Sequence, residues 1–133
     1  MGLLKFLPVL LGTAIFALEA YAPFATAAPV AAAVQAEKGL KMLMVRRDGC
    51  VYCNAWEAEI APGYAKNPLG QRAPLIRVDV KGPYPDGLVL DRKPWVTPTF
   101  ILLNDGQEIE RYEGYPGKDR FYAVLTQMID APF

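Results

Sequence analysis

Apolar and polar positions along this chain fall into short blocks whose periods change from one to the next. Lys41-Met42-Leu43-Met44-Val45-Arg46 is a brief apolar run ending in charge and predicts a buried strand. Arg47-Asp48-Gly49 predicts a turn, and a helix begins near residue 50. Cys53, Trp56 and Ile60 then fall on one helical face, with Glu57 and Glu59 off it. Pro62-Gly63 should end or kink that helix, and residues 63–73, with Pro68, Gly70 and several polar side chains, read as a connection. Leu75 to Val80 predicts a second strand, and Lys81 to Gly87 a Pro/Gly-rich loop. Residues 88–95 carry no clear period. Thr99 to Leu103 predicts a third strand, Asn104-Asp105-Gly106 a hairpin turn, and Gln107 to Glu113 the returning strand. After Gly114-Tyr115-Pro116-Gly117, Lys118 to Asp130 predicts a last helix with Phe121, Leu125 and Met128 on one side. The order is β-α-β, a loop, then β-β-α: an α/β domain with one central mixed sheet flanked by helices.

The first 36 residues follow a different pattern. Lys5 precedes an apolar block of 13 residues from Phe6 to Leu18, followed by a stretch of small residues. This is the layout of a cleaved export signal. Cleavage is expected after Val34-Gln35-Ala36, with Ala25-Thr26-Ala27 as the alternative site, so residues 1–36 form the signal and 37–133 the domain. The block is short of the roughly 20 residues a spanning helix needs, and Glu19, Pro23 and Pro29 interrupt any longer span. The expected location is the periplasm, in soluble form.

The chain has 14 basic and 14 acidic residues, with no basic run to suggest nucleic acid. It has no histidine, which removes the usual Ser–His and Cys–His hydrolase arrangements and leaves a zinc site short of ligands. No cofactor or metal is expected, and no segment suggests dimerisation, so a monomer is the default.

The chemistry concentrates in Cys50-Val51-Tyr52-Cys53, which holds the chain's only 2 cysteines. A disulfide closing so small a loop stabilises little, since the effect grows with loop length. Its use is therefore exchange. Cys50, at the start of the helix, would have its thiolate favoured by unpaired N–H groups and the helix dipole, with Arg46 and Arg47 adding to this and Asp48 opposing it. Cys53 lies one turn deeper on the same face. That assigns Cys50 as nucleophile and Cys53 as the thiol that resolves a mixed disulfide. Tyr52, between them, is a candidate substrate contact.

Together with Val96-Thr97-Pro98-Thr99-Phe100, this segment resembles the thioredoxin superfamily. The pattern Cys50-x-x-Cys53-x-x-Trp56, with Glu59-Ile60-x-Pro62 and Glu113-Gly114-Tyr115-Pro116-Gly117, resembles the periplasmic thioredoxins of bacterial sulfur-oxidation (Sox) systems. The resemblance implies a cis-proline at Pro98 facing the cysteines, Thr97 offering backbone groups to substrate, and Gly114 leaving room for it nearby. It implies a redox-active Cys50–Cys53 disulfide as the sole redox group, a Sox sulfur-carrier protein as partner, and a membrane thiol reductant as electron donor. Three departures stand out. Thioredoxins bury an acid six positions before the first cysteine, where this chain has Met44; the residues between the cysteines are Val51-Tyr52, not Gly-Pro; and the helix thioredoxins place before the proline has little sequence to form it. Rival readings are reduction of apocytochrome c thiols for haem attachment and a disulfide oxidase or isomerase. From another class, a non-catalytic Cu(I)- or partner-binding module would also use two thiolates.

Overall fold

The structure, a computed structural model, describes residues 39–132. The segment read as an export signal lies outside them. Strand β1 (Leu40–Arg46) forms where the apolar run begins, and its four central residues are buried. Helix α1 (Val51–Glu59) follows, with Cys50 as its N-cap. Pro62 ends the first helix as expected, because it cannot continue the hydrogen-bond ladder; it sits instead in the first turn of a short helix, α2 (Ala61–Tyr64).

The stretch 63–73 departs from the sequence expectation. It carries part of α2 and another short helix, α3 (Pro68–Arg72). The cause is local: the Asn67 side chain accepts a hydrogen bond from the Leu69 N–H at 2.9 Å, and Pro68 occupies the first turn, where its missing N–H costs nothing.

Strands β2 (Leu75–Asp79), β3 (Thr99–Asn104) and β4 (Gln107–Glu113) complete a four-stranded sheet in the order β2-β1-β3-β4. β1 runs parallel to β2 and antiparallel to β3, which is antiparallel to β4. Asp105 and Gly106, at φ 49° and 85°, make the tight β3–β4 turn, in which both central residues need positive φ. Helix α4 (Lys118–Asp130) ends the domain and buries Phe121, Leu125, Met128 and Ile129.

Alternation along the strands sends side chains into two cores. Met42, Met44, Phe100 and Leu102 face α1 and α4, where Trp56 packs against Tyr64, Phe100 and Phe121 with ring centroids 5.5–5.9 Å apart. The methionines are thus core residues, as their alternation indicates. Leu43, Val45, Val78, Ile101 and Leu103 point the other way. On that face residues 80–98 form no helix, and Val80, Tyr84, Leu88 and Leu90 cover the sheet instead. Within this segment Val89 forms a bridge with Gln107 at the β4 edge.

Candidate functional site

The two cysteines stand at the C-terminal end of β1, where the turn Arg47–Gly49 hands the chain to α1. They form a disulfide. Their environments are unequal. Cys50 is 6% exposed at the rim, whereas Cys53 is fully buried beneath it. The Cys53 N–H donates to the Cys50 sulfur at 3.1 Å, so the sulfur occupies the position an oxygen takes in an ordinary N-cap. The same donor, at the positive end of the helix, favours negative charge on that sulfur once the disulfide opens. Arg46 pairs with Asp48 at 3.7 Å, and Arg47 is exposed at the strand end. Asp48 thereby offsets part of the positive charge the sequence places near the cysteines.

The β3 entry supplies the other wall. The Thr97-Pro98 peptide is cis, and the Thr97 carbonyl oxygen lies 3.4 Å from the Cys50 sulfur. In the disulfide that sulfur has no proton; in the dithiol the same approach lets an S–H donate to the carbonyl. Pro98 is buried, and its carbonyl accepts the Gly114 N–H at 2.8 Å. Cys50, Cys53, Thr97, Pro98 and Gly114 are therefore joined by direct contacts. Gly114 has φ +95°, and a Cβ built on it would meet nothing within 4 Å, so the space beside it is open. Tyr52, 64% exposed, and its neighbour Val51, 74% exposed, face outward from the first turn of α1. Trp95, 76% exposed, stands two residues before Thr97.

One contact, made by Tyr115, is not legible in the sequence. Its ring does lie 6.3 Å from that of Phe121, but its hydroxyl also donates to Glu59 Oε2 at 2.6 Å. This bond ties the Gly114 turn to the end of α1. Burial, reinforced by the Glu59 carboxylate, holds the Tyr115 hydroxyl protonated above the usual phenol range. Cys53 lies in a hydrophobic cluster with Met42, Met44, Trp56 and Phe100, and Glu108, the carboxylate buried among the described residues, pairs with Arg111 in β4. Among the described residues no three acidic or thiol side chains gather as metal ligands, and no helix is long and apolar enough to cross a membrane.

Comparison with known proteins agrees with this geometry. The thioredoxin-like domain family matches residues 27–129. The chain is 44% identical to the reduced periplasmic thioredoxin SoxS of Paracoccus pantotrophus, with a TM-score of 0.66 over 68% of this chain and 95% of that one. A thioredoxin-fold protein from Helicobacter pylori shares the fold at 20% identity and a TM-score of 0.54, covering 74% of this chain and 73% of its own. Deadhead, a germline thioredoxin of Drosophila melanogaster, does so at 16% identity and a TM-score of 0.51, over 69% and 83%. A search of curated proteins finds no match. The chain belongs to the thioredoxin-like family, as a thiol–disulfide oxidoreductase whose redox group is its own Cys50–Cys53 pair.

Proposed function

We propose that this protein is an exported, periplasmic reductase that acts on a disulfide or mixed disulfide of a partner protein in a thiosulfate-oxidising Sox system. The observation that carries the chemistry is the inequality of the two sulfurs: Cys50 at the rim, 3.4 Å from the Thr97 carbonyl, and Cys53 sealed below it. The similarity to SoxS over nearly all of that chain supports the Sox assignment.

In the reaction, the reduced protein presents Cys50 as thiolate. It attacks one sulfur of the partner disulfide; the other partner sulfur leaves and takes a proton. Cys53 then loses its proton and attacks the Cys50 sulfur, which forms the Cys50–Cys53 disulfide and releases the second partner thiol. Two electrons pass to the partner, with one proton from Cys53 and one from solvent. A membrane thiol reductant returns them. The partner lies along Thr97 and Pro98, with its backbone on the Thr97 peptide groups, and uses the open space at Gly114. Tyr52 contacts it from the α1 side.

The test is a pair of variants in the full protein. Cys50→Ser should lose disulfide reduction, and reduction that persists refutes the assignment. Cys53→Ser should accumulate mixed disulfides through Cys50. Capture of a Sox sulfur carrier supports the proposal, while capture of apocytochrome c moves the protein to cytochrome maturation. A reduction potential near about −250 mV or lower fits a reductase, and one near about −120 mV fits an oxidase.

A further inference from the structure

Where thioredoxins cover the second sheet face with a helix, this chain sends residues 80–98 across it, and that segment delivers Thr97 to Cys50. Something must fix an irregular segment of this length, because a loop without its own ladder is the part of a domain most ready to open. The anchorage lies at the edge of β4. The Val89 N–H donates to the Gly106 carbonyl at 3.0 Å, and the Glu108 N–H to the Val89 carbonyl at 2.8 Å. Beyond Val89 the anchorage passes to side chains. Glu108 Oε2 accepts the Asp91 N–H at 2.9 Å, and Arg111 Nη2 donates to the Arg92 carbonyl at 2.8 Å. The two side chains hold each other by a two-pronged ion pair, with both N–O distances 2.7 Å. They are 2% and 6% exposed. Arg92 returns to β4 through Glu113 at 2.8 Å.

The pair exists because of a β-bulge. Residues three apart in a regular strand point to opposite faces. Here the register shifts between Leu102 and Leu103, so Ile109 has no partner, Glu108 stands opposite Leu103 and Arg111 opposite Ile101. The extra residue turns both charges to the face beneath the segment. Two charges taken out of water, each also bonded to the segment's backbone, are a costly way to gain stability alone. Pro94, fully buried, is the next fixed point, and Trp95 and Thr97 follow it.

We propose that Glu108 and Arg111 are positioning residues for protein substrates: through Asp91 and Arg92 they hold the strip that presents Trp95 and the Thr97 carbonyl beside Cys50. This rests on the functional proposal above. A small disulfide needs only the Cys50 sulfur. An extended polypeptide needs the strip in place.

The test is Arg111→Lys, which keeps the charge but loses the fork. Its reduced form is assayed against a disulfide-linked peptide and against Ellman's reagent, with amide exchange recorded by mass spectrometry. The expected result is a KM for the peptide raised about tenfold, the effect of one charge-assisted hydrogen bond, with the Ellman rate unchanged and faster exchange across residues 89–97. A parallel loss with both substrates, or no loss with either, overturns the inference. Should R111K fail to fold, the double replacement E108Q/R111M leaves no unpaired buried charge and is read the same way. Wild-type protein that reduces Ellman's reagent but not the peptide counts against the functional proposal instead. In that case unchanged exchange at 89–97 in the variant overturns the positioning role, and faster exchange upholds the hold on the strip.

Discussion

Gly114→Ala separates the backbone requirement at the turn after β4 from the use of the space beside it. At φ +95° any residue with a Cβ is strained, and no neighbour lies within 4 Å to compensate by packing. The strain is about 1–3 kcal/mol. For a domain of this size each kcal/mol lowers the melting temperature by about 4–8 °C, so a fall between about 4 and 24 °C is expected. The Gly114 N–H bond to the Pro98 carbonyl, 2.8 Å, limits how far the turn can relax. The added methyl would also project into the open space proposed to receive substrate. Thermal unfolding and steady-state reduction, with a disulfide-linked peptide and with Ellman's reagent, read the two effects separately. The peptide KM should rise several-fold while the Ellman rate stays near wild type. Gly114→Asn, which tolerates positive φ better, should recover part of the melting temperature but none of the KM. An unchanged melting temperature in G114A refutes the strain argument. A lowered one with an unchanged peptide KM refutes the substrate side.

Iodoacetamide added to the reduced protein should label Cys50 and spare Cys53, since only Cys50 reaches the rim; equal labelling by mass spectrometry removes the basis for their separate roles. Gly70→Ala should lower the urea midpoint although alanine is the better helix former, because its Cβ would run into the Tyr64 carbonyl group and approach the Tyr64 ring at 3.0 Å. The hydrogen bonds from Arg77, 2.7 and 2.9 Å, hold the Glu57 carboxyl below the usual glutamate range. Its stabilising effect is present above the ordinary carboxylate value and lost as pH falls through the lowered one. Wild-type stability should therefore drop on acidification more steeply than that of Glu57→Gln, and parallel curves in urea titrations would refute the linkage.

How much of this was legible depended on whether the determinant was local. The Asn104-Asp105-Gly106 turn, the apolar face of α4 and the helix starting at the cysteines each rest on residues adjacent in sequence or one turn apart. From sequence alone residues 63–73 read as a connection because Pro68 and Gly70 resemble loop punctuation, while in the fold the proline opens a helix capped by Asn67 and the glycine gives Tyr64 room. In β4, Gln107-Glu108-Ile109-Glu110-Arg111 looks like a solvated strand. Nothing in those letters announces the bulge that turns Glu108 and Arg111 to one buried face. That pairing is fixed by the register against β3 and by a segment almost twenty residues earlier, which no local period reports.

Met44 carries the remaining mechanistic consequence. It occupies the place where thioredoxins bury an acid, and it shares a hydrophobic cluster with Cys53. An apolar surrounding disfavours a thiolate, so the Cys53 proton leaves slowly unless solvent base or the departing partner thiolate takes it. The attack proposed for Cys50 at the rim does not share this restriction. Resolution, not the first attack, should then limit turnover near neutral pH. The assay uses the mixed disulfide between Cys50 and a fluorescent peptide, with peptide release followed by stopped flow. Release should accelerate nearly tenfold for each unit of rising pH until Cys53 ionises freely. Met44→Asp should flatten that dependence by placing a proton acceptor beneath the sulfur. It should also lower the melting temperature, since an unpaired carboxyl replaces a packed thioether. A wild-type release rate independent of pH across the neutral range would mean that another group already takes the proton, and the consequence drawn from Met44 would fail.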